Sequence, residues 1–276
     1  MGDVSVLGLG SMGSALARTF GNAGRDLVVW NRSRERADPF ARQGVTVAGD
    51  VAEAIEASPV VVICVDSNAV ADAFLQTEPV AGVLKDRIIV QFSTSTPREA
   101  ESSATWLHAH GAHYLDGAIH CGPNHIGTDD AAFLLSGDPA SHEAVAPLLA
   151  DLGGTMTYLG SGDRAASALD LASVCEVYGR FVAVSHAALM CEAEGVSLDD
   201  LADLMPEGGF SRRYVEVVRD GAFENPAATM RIWNAAIQQS SGSAHRVMTL
   251  ASTRGFQTMS VTCFPTPSTR GLGMNT

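Results

Sequence analysis

The sequence predicts an α/β chain: a doubly wound sheet through about residue 160, one long helix, then a helical remainder. Three observations carry this. The first half alternates short apolar runs with helical segments, the rhythm of βαβ units. A G-x-G-x-x-G pattern, Gly8-Leu9-Gly10-Ser11-Met12-Gly13, joins the first run to the first helix. From Asp163 to Glu194, 32 residues pass with no helix breaker except Gly179.

Taken in order, residues 4–7 form a strand ending at Gly8, and residues 11–23 a helix. Residues 27–30 are a second strand, 45–47 a third and 51–57 a short helix. Residues 60–65 are uninterrupted apolar, as a strand at the centre of a parallel sheet requires. A helix near 69–75 leads to a strand at 88–92, and Thr96 before Pro97 suits the N-cap of a helix over 98–110. Strands follow at 114–115 and 131–135, and Gly160-Ser161-Gly162 ends this half. The long helix spans about 48 Å at the α-helical rise. Apolar residues occupy nearly every face of it, so it is expected to be enclosed on all sides, partly by a second subunit. Residues 197–256 read as helical with a break at Met205-Pro206-Glu207-Gly208-Gly209, and 259–276, with Pro265 and Pro267, as an irregular tail.

Composition fits this frame. Hydrophobic residues make up 46% of the 276 and aromatics 6%, ample for a core of Ala, Val and Leu. The balance of 18 Lys+Arg against 31 Asp+Glu gives a net charge of −13, which repels nucleic acid and anionic lipid, so neither is an expected partner. Cys64, Cys121, Cys175, Cys191 and Cys263 are scattered without C-x-x-C spacing, as free thiols in a reducing compartment are. No signal-peptide pattern opens the chain and no unbroken apolar run reaches spanning length, so a cytoplasmic protein is expected.

The glycine pattern has a mechanism. Gly8 permits the tight turn, Gly10 lets a pyrophosphate approach the backbone, and Gly13 allows close helix–strand packing. Leu9, Ser11 and Met12 complete the loop. An NAD site usually ends the second strand with Asp or Glu on the ribose. Here that strand ends Val29-Trp30-Asn31-Arg32-Ser33-Arg34. Asn31 suits a ribose hydroxyl, and Arg32, Ser33 and Arg34 suit a 2′-phosphate, so NADPH is the expected cofactor. Val65 and Asp66 after the central strand, and Ser93 and Thr94 after the next, lie where ligands bind in such sheets.

The chain resembles the imine reductases and reductive aminases of the 3-hydroxyacid dehydrogenase superfamily. The resemblance rests on residues 8–17, Val29-Trp30-Asn31-Arg32, Asp116-Gly117-Ala118-Ile119 and Gly122-Pro123-Asn124-His125-Ile126-Gly127. It continues in Leu134-Leu135-Ser136-Gly137, Ala168-Leu169-Asp170-Leu171-Ala172 and Tyr178-Gly179. These matches run in order over residues 3–195. The resemblance implies a Rossmann domain at 1–160, an interdomain helix at 161–194, a helical substrate and dimerisation domain at 195–258, and a homodimer that exchanges C-terminal domains. It also implies an active site between one subunit's nucleotide domain and the other's helices. The tail at 259–276 lacks the family's usual closing helix.

Hydroxyacid dehydrogenases of this superfamily keep a lysine on the long helix. This chain's one lysine, Lys85, precedes the fifth strand, and the helix carries Asp170. In imine reductases the matching position is commonly Asp or Tyr, and the position matching Tyr178 contributes to the substrate pocket. Exchanging an ammonium for a carboxylate favours a cationic substrate over one that develops an oxyanion. Hydride addition to C=N proceeds best on the protonated iminium, which a carboxylate stabilises and can protonate. Asp170, Tyr178 and His120 are therefore the expected catalytic residues: Asp170 at the iminium, Tyr178 reaching the substrate nitrogen or a water from the pocket wall, and His120 as an alternative proton donor. His120, Cys121, Asn124, Val174 and Trp233 are the expected substrate contacts.

Blander readings stand beside these. Tyr178 suits a core aromatic, and His120 a satisfied loop histidine. His108, His110, His113, His120 and His125 fall within 18 residues, yet share no helix face and form no HExxH, so no metal is expected. Two other functions stay open. One is a hydroxyacid dehydrogenase-like carbonyl reductase using Asp170, His120 or Tyr178 in place of lysine. The other is a non-catalytic NADPH-binding protein.

Overall fold

The computed structural model describes residues 2–207, 209–217 and 219. Its strands are β1 (Val4–Leu7), β2 (Leu27–Trp30), β3 (Thr46–Val47), β4 (Val60–Ile63), β5 (Ile88–Gln91), β6 (His113–Ile119), β7 (Ala132–Gly137) and β8 (Thr155–Tyr158). They form one sheet in the order β3-β2-β1-β4-β5-β6-β7-β8. Every pairing is parallel except β6 with β7. The chain leaves β1 in both directions, toward β2 and toward β4, so a crevice opens past the carboxyl ends of β1 and β4.

The helices are α1 (Ser11–Asn22), α2 (Asp38–Ala41), α3 (Val51–Glu56), α4 (Asn68–Leu75), α5 (Glu78–Ala81), α6 (Pro97–Ala109), α7 (Pro139–Leu149), α8 (Ala165–Ala193), α9 (Leu198–Asp203) and α10 (Phe210–Val217). Two apolar layers sandwich the sheet. Val4, Val6, Leu16, Phe20 and Val62 pack on one face, and Leu7, Ile55, Val61, Ile63 and Leu75 on the other. The period-two alternation of each strand divides its residues between the layers. Helix α6 begins where the sequence indicates: Thr96 and Glu99 bond reciprocally as a capping box, with Pro97 in the first turn.

Several expected boundaries move. Strand β4 stops at Ile63 and β5 at Gln91, because the chain past them turns into the crevice. Strand β6 covers His113–Ile119 rather than two residues, since antiparallel β7 pairs with it from Leu115 through Ile119. Strand β8 and helix α7 were not anticipated.

Helix α8 is one unbroken 29-residue element, and Gly179 sits within it facing open space. By length and composition alone it could cross a membrane. Its burial differs from expectation. Ala166, Ser167 and Asp170 are buried near its start, but Leu169, Val182, Leu189 and Met190 are exposed in the described chain. Its far end packs through Val184 on Ala202 of α9 and Val215 of α10. The expected contact Trp233 and the tail at 259–276 lie outside the described residues, as does most of 195–258.

Candidate active site

The glycine loop is shaped as its spacing implies. Gly8 has φ +99°, and a Cβ there would stand 2.2 Å from the Cys64 carbonyl oxygen. A Cβ on Gly13 would stand 2.0 Å from the Gly8 carbonyl oxygen. Gly10 differs: the nearest atom to its Cβ position is Arg36 Nη1, at 3.8 Å. Two glycines therefore let α1 and β4 close on the turn, while the third leaves its outer side open. Gly10 caps α1 without a side-chain hydrogen bond, and no acid occupies the first turn. The helix N-terminus thus keeps donors and a positive dipole end for an anion.

Asn31 holds this loop. Leu9 N–H donates to Asn31 Oδ1 at 2.8 Å, and Asn31 Nδ2 donates to the Ser33 carbonyl at 2.9 Å. The amide retains one N–H and one lone pair for a ribose. Arg32, Ser33 and Arg34 are exposed just beyond. Trp30, Asn31, Arg32, Arg34, Phe74 and Val80 are among the residues lining a cavity of about 430 Å³ beside them, with the Trp30 and Phe74 rings 5.4 Å apart. Open Gly10, undecorated helix donors, and guanidiniums at the mouth of a part-aromatic cavity fit a dinucleotide carrying an extra phosphate. Sequence reasoning missed Arg36, which a one-turn 3₁₀ segment (Arg34–Arg36) carries over the loop.

On the crevice floor, Ser93 Oγ accepts from Val65 N–H at 2.9 Å, tying together the segments that follow β4 and β5. Ser93 is buried, Thr94 and Val65 are half-buried, and Asp66 is exposed. Cys64 beneath them is buried, which pushes its thiol up to about 12, with Asp66 adding to the effect. That thiol stays protonated and unreactive.

The centre of the site is a contact between two expected residues. His120 Nε2 lies 2.9 Å from Asp170 Oδ1, their side chains 27% and 10% exposed. The end of β6 presents His120, and the second turn of α8 presents Asp170. Below them a second rung joins the same elements. Asp116 accepts from Ser167 N–H at 2.7 Å and from Ser167 Oγ at 2.6 Å. Ser136 Oγ accepts from Ala166 N–H at 3.0 Å. The first turn of α8 has no side-chain cap of its own, so sheet residues receive its leading N–H groups. This fixes where Asp170 stands.

The other expected residues divide. Phe92, Thr94, Ser95, Ile119, Ser167 and Asp170 wall a small niche in the crevice. Cys121 and Val174 are buried near the site, whereas Asn124 is exposed on a 3₁₀ turn (Pro123–His125) that packs against α1. Tyr178 lies eight residues beyond Asp170, about 12 Å along the helix. Its hydroxyl is buried and its ring lies 6.2 Å from Phe181. Asp116, Ser167 and Ser95 were not singled out as site residues. Among the described residues no cluster of three or more His, Cys, Asp or Glu is arranged to hold a metal ion.

Comparison with known proteins bears on the fold and the cofactor. Residues 3–160 match the family described as the NAD binding domain of 6-phosphogluconate dehydrogenase. The chain is 30% identical over 203 residues to the NADPH-dependent reductive aminase of Aspergillus oryzae, covering 74% of this chain and 68% of that protein. The imine reductase from Myxococcus stipitatus in complex with NADP+ superposes with a TM-score of 0.67 at 31% identity, over 83% of this chain and 77% of that one. The imine reductase from Aspergillus terreus in complex with NADPH4 and dibenz[c,e]azepine superposes with a TM-score of 0.69 at 30% identity, over 91% and 92%. The chain belongs to the imine reductase and reductive aminase family, within the NAD(P)-dependent oxidoreductases of the 3-hydroxyacid dehydrogenase superfamily.

Proposed function

We propose that this protein is an NADPH-dependent imine reductase that uses Asp170 to stabilise a cationic C=N substrate. The carrying observation is the largely buried Asp170 carboxylate at the crevice, on the helix where superfamily relatives acting on oxygen substrates keep a lysine. An iminium beside Asp170 is attracted in a partly water-excluded site, where charge pairing is stronger than in bulk water. A developing alkoxide there would be repelled. NADPH supplies the hydride. Arg32, Ser33, Arg34 and Arg36 hold its 2′-phosphate end, and the N–H groups at the start of α1 its pyrophosphate.

His120 orients the Asp170 carboxylate through the 2.9 Å contact and can pass a proton along it. Tyr178, Cys121 and Val174 belong to the surrounding wall. The Rossmann domain at 1–160, interdomain helix at 161–194 and helical domain at 195–258 are proposed on the family's architecture. So is a homodimer whose partner covers the exposed apolar residues of α8.

The test follows NADPH consumption with cyclic imines and with ketones derived from 3-hydroxy acids, for wild type and Asp170→Asn. The expected result is imine turnover that collapses in the variant. Ketone turnover instead of imine turnover would favour the carbonyl reductase. NADPH binding without any turnover would favour the non-catalytic protein.

A further inference from the structure

Asp116 is buried within the sheet with no base among its described partners. Its two oxygens accept from Ser167 N–H and Ser167 Oγ. Ser167 Oγ in turn lies 2.6 Å from Ser95 Oγ, both side chains buried. Ser95 and Ser167 then face the niche they share with Thr94 and Asp170, a space of about 10 Å³, the order of a single water. Three buried oxygen-bearing side chains thus lead from an acid inside the sheet to the crevice at Asp170.

Helix capping accounts for only part of this arrangement. An oxygen acceptor at residue 116 would cap α8, and an asparagine could supply it. The Ser95–Ser167 hydrogen bond adds nothing to that cap. Both hydroxyls can donate and accept, so the chain can reverse direction. Asp116 suits proton exchange: burial pushes its carboxyl up to about 6, the charge of Asp170 adds to this, and hydrogen bonds from Ser167 and Ser136 oppose it. Tyr114 on the same strand is held well above the ordinary phenol range by burial first and by the charge of Asp116 second.

We propose that Asp116, Ser167 and Ser95 form a proton relay that delivers to the crevice the proton consumed with each hydride. This rests on the imine-reduction reading and deepens it. The Asp116 carboxyl gives its proton to Ser167 Oγ as Ser167 gives its own to Ser95 Oγ. Ser95 gives its proton to a water in the niche, and that water protonates the substrate nitrogen beside Asp170. At each hydroxyl and at the water one O–H bond forms as one breaks, and no electrons change hands. Asp116 ends as a carboxylate and the nitrogen carries the proton; after product leaves, the niche water takes a proton from solvent and the two hydroxyls carry it back to Asp116 in the reverse direction.

An infrared pH titration reads Asp116 directly. A carboxylic-acid carbonyl band should disappear with a midpoint near 6, be absent in Asp116→Asn, and shift to a lower midpoint in Asp170→Asn. A missing band, or a midpoint unmoved in Asp170→Asn, overturns the proposal, independent of turnover. Kinetics then test the wire. With a cyclic imine and saturating NADPH, Ser95→Ala and Ser167→Ala should lower kcat roughly 10- to 100-fold, with a larger solvent deuterium isotope effect. Ser167→Thr should restore both values, and Ser95→Ala should keep the NADPH Kd of wild type. Wild-type kcat and isotope effect in Ser95→Ala overturn the relay and leave the imine reading standing. No imine turnover by the wild type overturns that reading, and the relay with it.

Discussion

His120 Nε2 stands 2.9 Å from Asp170 Oδ1, linking the end of β6 to the second turn of α8 across 50 residues of sequence. The two side chains do unequal work in the proposed reaction. Asp170 carries the charge that meets the iminium, and His120 fixes its direction. Asp170→Asn keeps the shape and a hydrogen bond but removes the charge, so kcat/KM for imines should fall about 100-fold or more. His120→Asn retains a polar partner of smaller reach, and a loss of about tenfold is expected. Steady-state kinetics on both variants check this order. A larger loss in the histidine variant would make His120 the reacting group.

The glycine loop separates folding from binding. A Cβ on Gly13 meets the Gly8 carbonyl at 2.0 Å, backbone against backbone, where neither side can yield. Gly13→Ala should therefore lose stability, by about 1–3 kcal/mol from overpacking. A Cβ on Gly10 meets nothing closer than Arg36 Nη1 at 3.8 Å, so Gly10→Ala should fold as wild type yet bind NADPH at least about tenfold more weakly. Thermal melts with and without NADPH, beside a fluorescence titration, distinguish the two.

Arg32 and Arg34 line the cavity beside Asn31, and Arg36 Nη1 lies 3.8 Å from where a Cβ on Gly10 would stand. Charge-assisted hydrogen bonds to a phosphate contribute about 1.5–3 kcal/mol, so Arg32→Ala should cut the NADPH-to-NADH preference by roughly 10- to 100-fold. The Kd for NADH should barely change, because the 2′-phosphate is the group lost. An unchanged ratio in Arg32→Ala and Arg34→Ala alike would move phosphate recognition to Arg36.

These contrasts also mark what the sequence makes legible. Strands β1 and β2 are short apolar runs bounded by turn residues, and they lie where the pattern puts them. Strand β6 is longer than its apolar run suggests because Asp116 and Gly117 interrupt the pattern. Asp116 is tolerated inside the sheet by Ser167, 51 residues away, and no local period encodes that partner. His120 and Asp170 were each readable as reactive side chains in suitable elements, but their contact depends on α8 docking across β6 and β7. Strand β8 hid in Thr155-Met156-Thr157-Tyr158, a half-exposed edge with little apolar signal. Arg36 was missed because a single 3₁₀ turn decides its direction.

Asp116 gives the fold a signed pH dependence. Burial raises its carboxyl to about 6 from 3.8. A group raised in the folded state contributes stability that is full below the unfolded value and lost as pH climbs through the folded one. The wild type should therefore lose up to about 3 kcal/mol from this group between pH 4 and pH 7. Asp116→Asn does not titrate there. Urea midpoints for the two proteins should converge, or cross in favour of the variant, as pH rises over this window. A difference independent of pH would mean that the Asp116 carboxyl keeps its unfolded value in the folded protein.

Helix α8 presents an exposed apolar stripe in the described chain. Val182 and Leu189 are 52% and 48% exposed in the described chain, and their spacing of seven places them on one stripe of the helix. Met190 and Leu169 widen the apolar surface at 57% and 44%. Asp170, Glu176 and Arg180 interrupt the same helix with charge, Glu176 and Arg180 pairing one turn apart. Those charges oppose burial in lipid and suit a protein interface wet at its rim. Sedimentation without detergent should show a dimer, and Val182→Glu with Leu189→Glu should give monomer. If the partner subunit completes the site, imine turnover should fall with dimer content, while NADPH binding, made by residues of one chain's sheet end, should persist. Monomeric wild type with full turnover would place every substrate contact on one chain.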